Sequence, residues 1–564
     1  MKRPTFLLSI LTALVAVAPA HAQARPNRFG VTVVRFAHGT TPAQMRSAVA
    51  AAGGDVITDL SRIDAMAVAP VAADFAPRIR GNGRVVATFV DPVLTAPDGV
   101  DASAADTSSP APPLGDAGGS FPDPWHDAFQ WDDARMNVPG AWALTLGDRG
   151  VRVAVVDSGV QGSHKELLPN YDNQASETLI PCNTLVRDFG AATVNAYGLR
   201  DCSSEDTDGH GTWTASRIAG AANGFASNGV APRVQIVSYK VIATGFGGLS
   251  SWIVAGMLDA CAQHVDLVNL SIGGYLDASD PADVQDYLLF ADAVSYCRSQ
   301  GVAVFSAAGN DHVRIDRVDL TLGGRSLAGA GRVSTGPEGI GSTSPGSASP
   351  LDLRGLLEVP AGVPGVTMVS ATNNAIAAAP ASVPLRWTAH VGARNQLAYY
   401  SNYGPRVDLA APGGARSYNI PRYDGGAGDV LYGGWGSFGA LDPSGALCTD
   451  PAFASFACFK VTGAGFGWLQ GTSMAAPNAV GVAALALSAH PELRANPDAL
   501  AASLRSGARR DLTNYTGPND PSNFVASLSG VPCDTGYCHI DQQHPISFSD
   551  AYGAGLVNAA VVAP

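Results

Sequence analysis

The sequence predicts an α/β protein: a parallel sheet with helices on both faces, preceded by a small ferredoxin-like α+β domain. Three observations carry this reading. Val151 to Val156 (VRVAVV) is an apolar run, as expected of a strand covered on both sheet faces. Beyond it, helical and strand-like stretches alternate, which calls for parallel strands joined by right-handed crossovers. Residues 29–92 carry a separate β-α-β-β-α-β rhythm, the order of a ferredoxin-like unit.

Within residues 29–92, Val31 to Phe36 alternates like a strand. Thr41-Pro42 offers a helix cap and a first-turn proline, and Met45, Ala48, Val49 and Ala52 then share one face. Gly53-Gly54 ends that helix. Asp55 to Leu60, Asp64 to Ala69 and Val85 to Val90 read as strands, with a short helix over Val71 to Ile79. Residues 95–121 are rich in Ala, Asp, Ser, Pro and Gly, so the stretch 93–123 reads as a linker open to proteolysis. Residues 124–564 form the larger unit. Its further strands are Val234 to Val241, Val265 to Leu270 and Val302 to Ser306. Trp252 to Gln263, Val284 to Arg298 and Ala479 to Ala489 read as helices. Residues 311–360 (Gly/Ser/Pro-rich) and 413–468 (Gly and aromatics) read as long surface insertions.

A chain of 564 residues with 46% apolar and 15% charged residues can bury a large core and is not a disordered protein. Its net charge of −13, without a Lys/Arg tract, argues against nucleic-acid binding. Residues 1–22 read as a secretory signal: Lys2 and Arg3, the apolar stretch Phe6 to Val17, then Ala20-His21-Ala22. That stretch is too short to span a membrane, and no later run of about 18 apolar residues stands out, so no stable membrane anchor is expected. The expected destination is extracellular, with the periplasm as the alternative, and the expected state is a monomer. In an oxidising compartment the eight cysteines read as disulfides. Sequence neighbours give the pairs 182–202, 261–297, 448–458 and 533–538; Cys261 and Cys297 lie in helical stretches and also read as buried free thiols.

Four short segments carry chemistry. Asp157 ends the strand VRVAVV, where functional residues of open parallel sheets gather. A carboxylate there can fix the tautomer of an imidazole, though alone it also reads as a turn residue. His210, in Asp208-Gly209-His210-Gly211-Thr212, precedes the helical stretch Trp213 to Ala222. Near neutral pH it can carry a proton between a serine and a leaving amine; a loop histidine or a metal ligand are the other readings. Ser473, in Gly471-Thr472-Ser473-Met474-Ala475-Ala476-Pro477, sits at a helix start, where backbone N–H groups and the dipole favour negative charge. A serine N-cap is compatible with that role, and Pro477 is expected near the first turn. Asn310 closes GVAVFSAAGN and could donate its amide to an oxyanion; alone it reads as a turn residue.

Taken together, Asp157-Ser158-Gly159, His210-Gly211-Thr212, Ala308-Gly309-Asn310 and the Ser473 segment resemble the signature set of the subtilisin-like serine proteases, in the order Asp, His, Ser. The resemblance extends over roughly Pro124 to Pro564. It includes Tyr400-Ser401-Asn402-Tyr403-Gly404-Pro405, Ala411-Pro412-Gly413 and Tyr552-Gly553-Ala554-Gly555-Leu556-Val557-Asn558. Asn478 stands where many members carry histidine.

The resemblance implies a secreted serine endopeptidase acting on protein or peptide substrates through Asp157, His210, Ser473 and Asn310. Ser271, Ile272, Gly273 and Gly274 would bind the substrate strand, and Ala307, Ala308 and Gly309 would line a roomy apolar pocket. Residues 29–92 resemble the inhibitor-type propeptide, which implies a zymogen cut within 93–123 and held by its own propeptide. No cofactor is required for the chemistry. Structural calcium is possible by resemblance, with acidic loops such as Ser203 to Asp208 as candidates and no ligand set assigned. A competing reading keeps the fold as a secreted peptide-binding protein that no longer cuts; another makes peptide ligation or ester hydrolysis the main task.

Overall fold

Strand Arg152–Asp157 lies deep within a seven-stranded parallel sheet, and its alternating side chains explain its composition. Val153 and Val155 join one core cluster, and Ala154 and Val156 join another on the opposite face. Each fully buried valine contributes roughly 1.5–3 kcal/mol, so a polar residue on either face would be expensive. Across the sheet the strands run Leu409–Pro412, Val366–Thr372, Ala303–Ala307, Leu267–Leu270, Arg152–Asp157, Gln235–Lys240 and Glu177–Thr178, all parallel. Leu267 to Leu270 stand opposite Val153 to Val156 in register. This is the α/β class expected, with helices on both faces.

The computed structural model describes residues 25–26, 29–94, 122–124, 126–196, 202–341, 351–373, 396–398, 400–414, 437–449, 458–512 and 546–563. The signal reading at 1–22, most of the linker, Cys533, Cys538 and parts of both insertions lie outside the described residues.

One sheet face is covered by the helices Ser250–Ala262 and Pro281–Ser299, tied together by a disulfide between Cys261 and Cys297. The free-thiol alternative at these two cysteines is thereby removed. The other face packs on helix Thr472–Ala489, whose Ala479, Val480, Ala483 and Ala484 are small enough for close approach to the strands. That helix is long and apolar enough to cross a membrane, contrary to the expectation that no such segment would be found. It is 89% buried and is the central core helix. A second disulfide joins Cys448 to Cys458. The expected bridge between Cys182 and Cys202 is not formed; both are thiols. Burial and the neighbouring Cys202 push the Cys182 thiol up to about 12.

The N-terminal segment folds as an antiparallel sheet in the order Gly54–Leu60, Ala65–Pro70, Thr32–Phe36, Val85–Val90. Helix Pro42–Ala52 starts with a reciprocal cap: Gln44 N–H donates to Thr41 Oγ1 (3.3 Å) and Thr41 N–H to Gln44 Oε1 (3.0 Å). One face of this sheet covers its own helices through Val34, Met45, Val49, Met66 and Phe75. The opposite face, with Val33, Leu60, Ala65 and Phe89, merges into the cluster around helices Ser250–Ala262 and Pro281–Ser299. Arg62 pairs with Asp259 (2.5 Å) and Arg35 with Asp292 across this contact. Beyond it, Pro92–Leu94 pairs antiparallel with Gly248–Leu249.

The described part of 311–360 holds more regular structure than its composition suggested. Ile315–Leu322 and Arg325–Val333 form a hairpin, which Leu357–Val359 joins to Gly274–Leu276 in one four-stranded antiparallel sheet. Near the end of the second stretch read as an insertion, Ser437–Leu441, Phe459–Val461 and Ala464–Leu469 form another sheet. Its Phe438, Phe466 and Trp468 pack with Phe129.

Candidate active site

Parallel strands bring Asp157, Ser271 and Asn310 to one edge, because each follows or ends a strand at its carboxyl terminus. Asp157 is the last residue of its strand. His210 is the first residue of helix His210–Ala219. The ring Nδ1–H donates to Asp157 Oδ1 at 2.8 Å, with Oδ2 at 3.1 Å, and both residues are buried. In the neutral ring this contact leaves Nε2 as the acceptor nitrogen; it is buried and has no hydrogen-bond partner among the described residues. Burial opposes charge on the ring, but Asp157, its hydrogen bond, Asp208 and Asp206 outweigh burial and raise His210 to about 9. The two segments touch through backbone: a Cβ on Gly211 would stand 2.0 Å from the Gly159 carbonyl oxygen, so only glycine fits.

Ser473 is the second residue of helix Thr472–Ala489 and is buried. That helix packs against His210–Ala219. The hydroxyl points to the Ser271 carbonyl, at 3.4 Å, and does not bond to His210. Pro477 lies in the second helical turn, deeper than the sequence reading placed it. Having no N–H, it leaves the carbonyl four residues back without a helical donor. That carbonyl belongs to Ser473, and it accepts the Ser271 hydroxyl at 2.8 Å. Asn269 Nδ2 in turn donates to that hydroxyl at 3.1 Å.

Asn310 is held by its oxygen. Oδ1 accepts Thr472 N–H at 2.9 Å and Thr472 Oγ1 at 2.8 Å. Its Nδ2 is a buried donor with no partner among the described residues. A Cβ on Gly471 would make ordinary contact with that Nδ2, at 3.6 Å, and it is the backbone conformation (φ +148°) that favours glycine there. Thr472, which sequence reasoning passed over, therefore links the asparagine to the serine.

Of the expected substrate-binding residues, Ser271, Ile272, Gly273 and Gly274 run in one buried stretch toward the Gly274–Leu276 strand. The Ile272 side chain belongs to the core under the two covering helices, so only its backbone is available to a ligand. Ala307, Ala308 and Gly309 are buried beside Asn310. Where these two stretches end, Tyr275 OH donates to Asp311 Oδ2 (2.7 Å) and Asn402 Nδ2 donates to Tyr275 Oη (2.8 Å). Burial pushes the Asp311 carboxyl up to about 6. Asn402 and Tyr275 stand against Gly309, where an added Cβ would meet Asn402 Nδ2 at 2.3 Å and the Tyr275 hydroxyl at 3.3 Å.

In the candidate calcium loop, Ser203 to Asp208, the buried carboxylate is committed to the protein. Both oxygens of Asp206 accept hydrogen bonds from protein donors. Among the described residues no group of three or more His, Cys, Asp or Glu could hold a metal ion.

A parallel sheet carrying an Asp–His pair at a strand end and a serine at a facing helix start defines an α/β protein built like a serine hydrolase. A model of the subtilase family matches residues 148–525, and the chain belongs to that family. Subtilisin from Bacillus pumilus is 26% identical over 358 residues, which cover 64% of this chain and 84% of that protein. Subtilisin NAT from Bacillus subtilis subsp. natto is 25% identical over 358 residues, and the match spans 64% of this chain and 61% of that protein. The crystal structure of the epidermin leader peptide processing serine protease EpiP from Staphylococcus aureus has the same fold. Its TM-score is 0.58 at 15% identity, over 96% of this chain and 98% of that one.

Proposed function

We propose that this chain is an exported serine endopeptidase made as a self-processing zymogen. In the proposed reaction His210 Nε2 takes the Ser473 hydroxyl proton as the oxygen bonds to a peptide carbonyl carbon. The carbonyl π pair moves onto its oxygen, which Asn310 Nδ2 and the Ser473 N–H receive. As the carbon–nitrogen bond breaks, His210 gives that proton to the departing amine. Water then repeats the sequence on the acyl-serine, restoring Ser473. Asp157 holds the ring and stabilises its charged form.

The observation that carries this reading is a pair of buried, unpartnered polar atoms beside a helix-start serine: a proton acceptor, His210 Nε2, and a donor, Asn310 Nδ2. Burying a polar atom without a partner is costly, and both are of the kind acyl transfer needs. The serine hydroxyl turns to the Ser271 carbonyl in the free enzyme, and catalytic hydrogen bonds commonly tighten only around substrate.

Substrate would add as an extended strand along Ser271–Gly274. Residues 29–92 would act as the propeptide, a reading favoured by their docking on two helices of the larger unit and by the pairing of Pro92–Leu94 with Gly248–Leu249. Export rests on the composition of residues 1–22. The test compares wild type with Ser473→Ala. Wild type should shorten itself between residues 93 and 123 and digest casein, and the variant should do neither; equal inactivity of both would sink the proposal.

A further inference from the structure

Asp206 is a carboxylate that the proposed chemistry does not use, 2% exposed and four residues before His210. Its Oδ1 accepts the Ser158 hydroxyl (2.9 Å), Asp208 N–H (3.0 Å) and Gly209 N–H (2.9 Å). Its Oδ2 accepts Thr212 N–H (2.9 Å) and Thr212 Oγ1–H (2.6 Å). The Ser158 hydroxyl that donates to it also accepts Gly211 N–H at 2.9 Å, and Thr212 Oγ1 accepts Gln161 N–H at 3.0 Å. The donors have a pattern. Ser158 directly follows Asp157, and Gly209, Gly211 and Thr212 flank His210. One buried side chain thus ties the Ser158 hydroxyl beside Asp157 to the backbone beside His210.

We propose that Asp206 is a positioning residue that sets the Asp157–His210 hydrogen bond. The inference rests on the proposed role of that pair but concerns its geometry rather than the reaction. Five donors converge on two oxygens, and only a carboxylate accepts at both ends. A carboxamide of the same shape would turn an NH2 toward donors at one end. Either the Ser158 and Gly209 contacts or the Thr212 contacts would then be lost, and the imidazole would shift relative to Asp157. Asp206 also acts through its charge. Burial and Asp208 push its carboxyl up to about 7 while the Thr212 and Gly209 bonds draw it down, so it is ionised in alkaline solution and helps to hold the His210 proton.

The test uses the full chain with Asp206→Asn. The first readout is the downfield proton NMR signal of the His210 Nδ1–H, recorded on a Ser473→Ala background, where it does not depend on turnover. The second is kcat, KM and the pH profile of peptide hydrolysis. The expected result is loss of the downfield signal and a fall in kcat on the order of 100-fold, the scale of a catalytic group displaced by about 1 Å. KM should stay near wild type, and the rising limb of kcat/KM should move to lower pH as a negative charge near His210 is removed. A variant with wild-type signal, kcat and limb that differs only in melting temperature would overturn the proposal, leaving Asp206 a stability residue. An inactive wild type would refute the proposed function, while the NMR signal would still decide the role of Asp206. If Asp206→Asn does not fold, Ser158→Ala and Thr212→Val each remove one hydroxyl donor and keep the charge. Each should weaken the signal and lower kcat about tenfold, the rate equivalent of one hydrogen bond, with the limb unmoved; unchanged signal and kcat in both would overturn the proposal.

Discussion

Replacing Asn310 by Ala and by Asp separates the observed job of this side chain from its proposed one. Its oxygen holds the start of helix Thr472–Ala489 through Thr472 N–H (2.9 Å), and its nitrogen is a buried donor with no partner among the described residues. Alanine removes both. Thr472 is fully buried, so its N–H would lose its acceptor at a cost of about 1–3 kcal/mol of stability. Losing an oxyanion donor should raise the barrier by about 3–4 kcal/mol, which is roughly 100- to 1000-fold in kcat. Aspartate keeps the acceptor at the same place but puts negative charge where the oxyanion forms. Its kcat should therefore fall at least as far as alanine's, with stability closer to wild type. The assay is kcat on a chromogenic peptide, normalised by active-site titration, alongside urea unfolding of each variant. An Asn310→Asp enzyme turning over within tenfold of wild type would refute the assignment of Nδ2 as the oxyanion donor.

Other expectations follow from the same geometry. With His210 raised to about 9, the ring is protonated and unable to act as a base at neutral pH, so kcat/KM should climb with pH through about 9; a profile already flat at pH 7 would contradict this. Asp91 is buried where its Oδ1 accepts Ser251 N–H (3.1 Å), close to the buried Asp286, with Asp283 and Arg35 also facing Asp286. Burial raises Asp91 to about 7, offset in part by its bonds to Ser251. A carboxyl raised by docking favours the docked state most below its ordinary value near 3.9 and loses that contribution as pH rises through about 7. The protection factors of the Val93 and Leu94 amides in the Ser473→Ala chain, taken relative to intrinsic base-catalysed exchange at each pH, should fall over that range, and Asp91→Asn should remove most of that fall. The Cys261–Cys297 bridge closes a separation of 36 residues, which corresponds to about 4 kcal/mol; a Cys261→Ala/Cys297→Ala chain should melt well below wild type yet keep its kcat.

The double-sided sheet was legible because burial on both faces forces consecutive apolar residues, as in Val153 to Val156. The first helix of the N-terminal unit was legible because Thr41, Pro42 and Gly53 each have one backbone use. The hairpin in 311–360 was hidden by reading glycine as irregularity. Val318, Leu320 and Leu322 alternate with polar residues up to Gly323-Gly324, whose positive φ values (54° and 79°) make a two-residue turn. That alternation was the available signal. At the candidate site, motifs pointed to Asp157, His210, Ser473 and Asn310, but not to how the groups are held. Asp206 bonds mostly to close sequence neighbours, but the Ser158 bond that ties it to the Asp157 strand spans 48 positions and the Thr472–Asn310 bond spans 162, which no local pattern encodes. The same holds for the thiols at Cys182 and Cys202: their spacing favoured a bridge, and spacing does not fix side-chain direction.

The proline four places beyond Ser473 has a mechanical consequence. A rung is missing from the helix ladder just where the serine sits, so that residue's carbonyl is moored sideways, through Ser271, to the end of a sheet strand. Bending or fraying of the long apolar rod behind it has less leverage on the hydroxyl. Alignment at the rim is then governed by the stiff, interlocked strands and not by the rod that carries the serine.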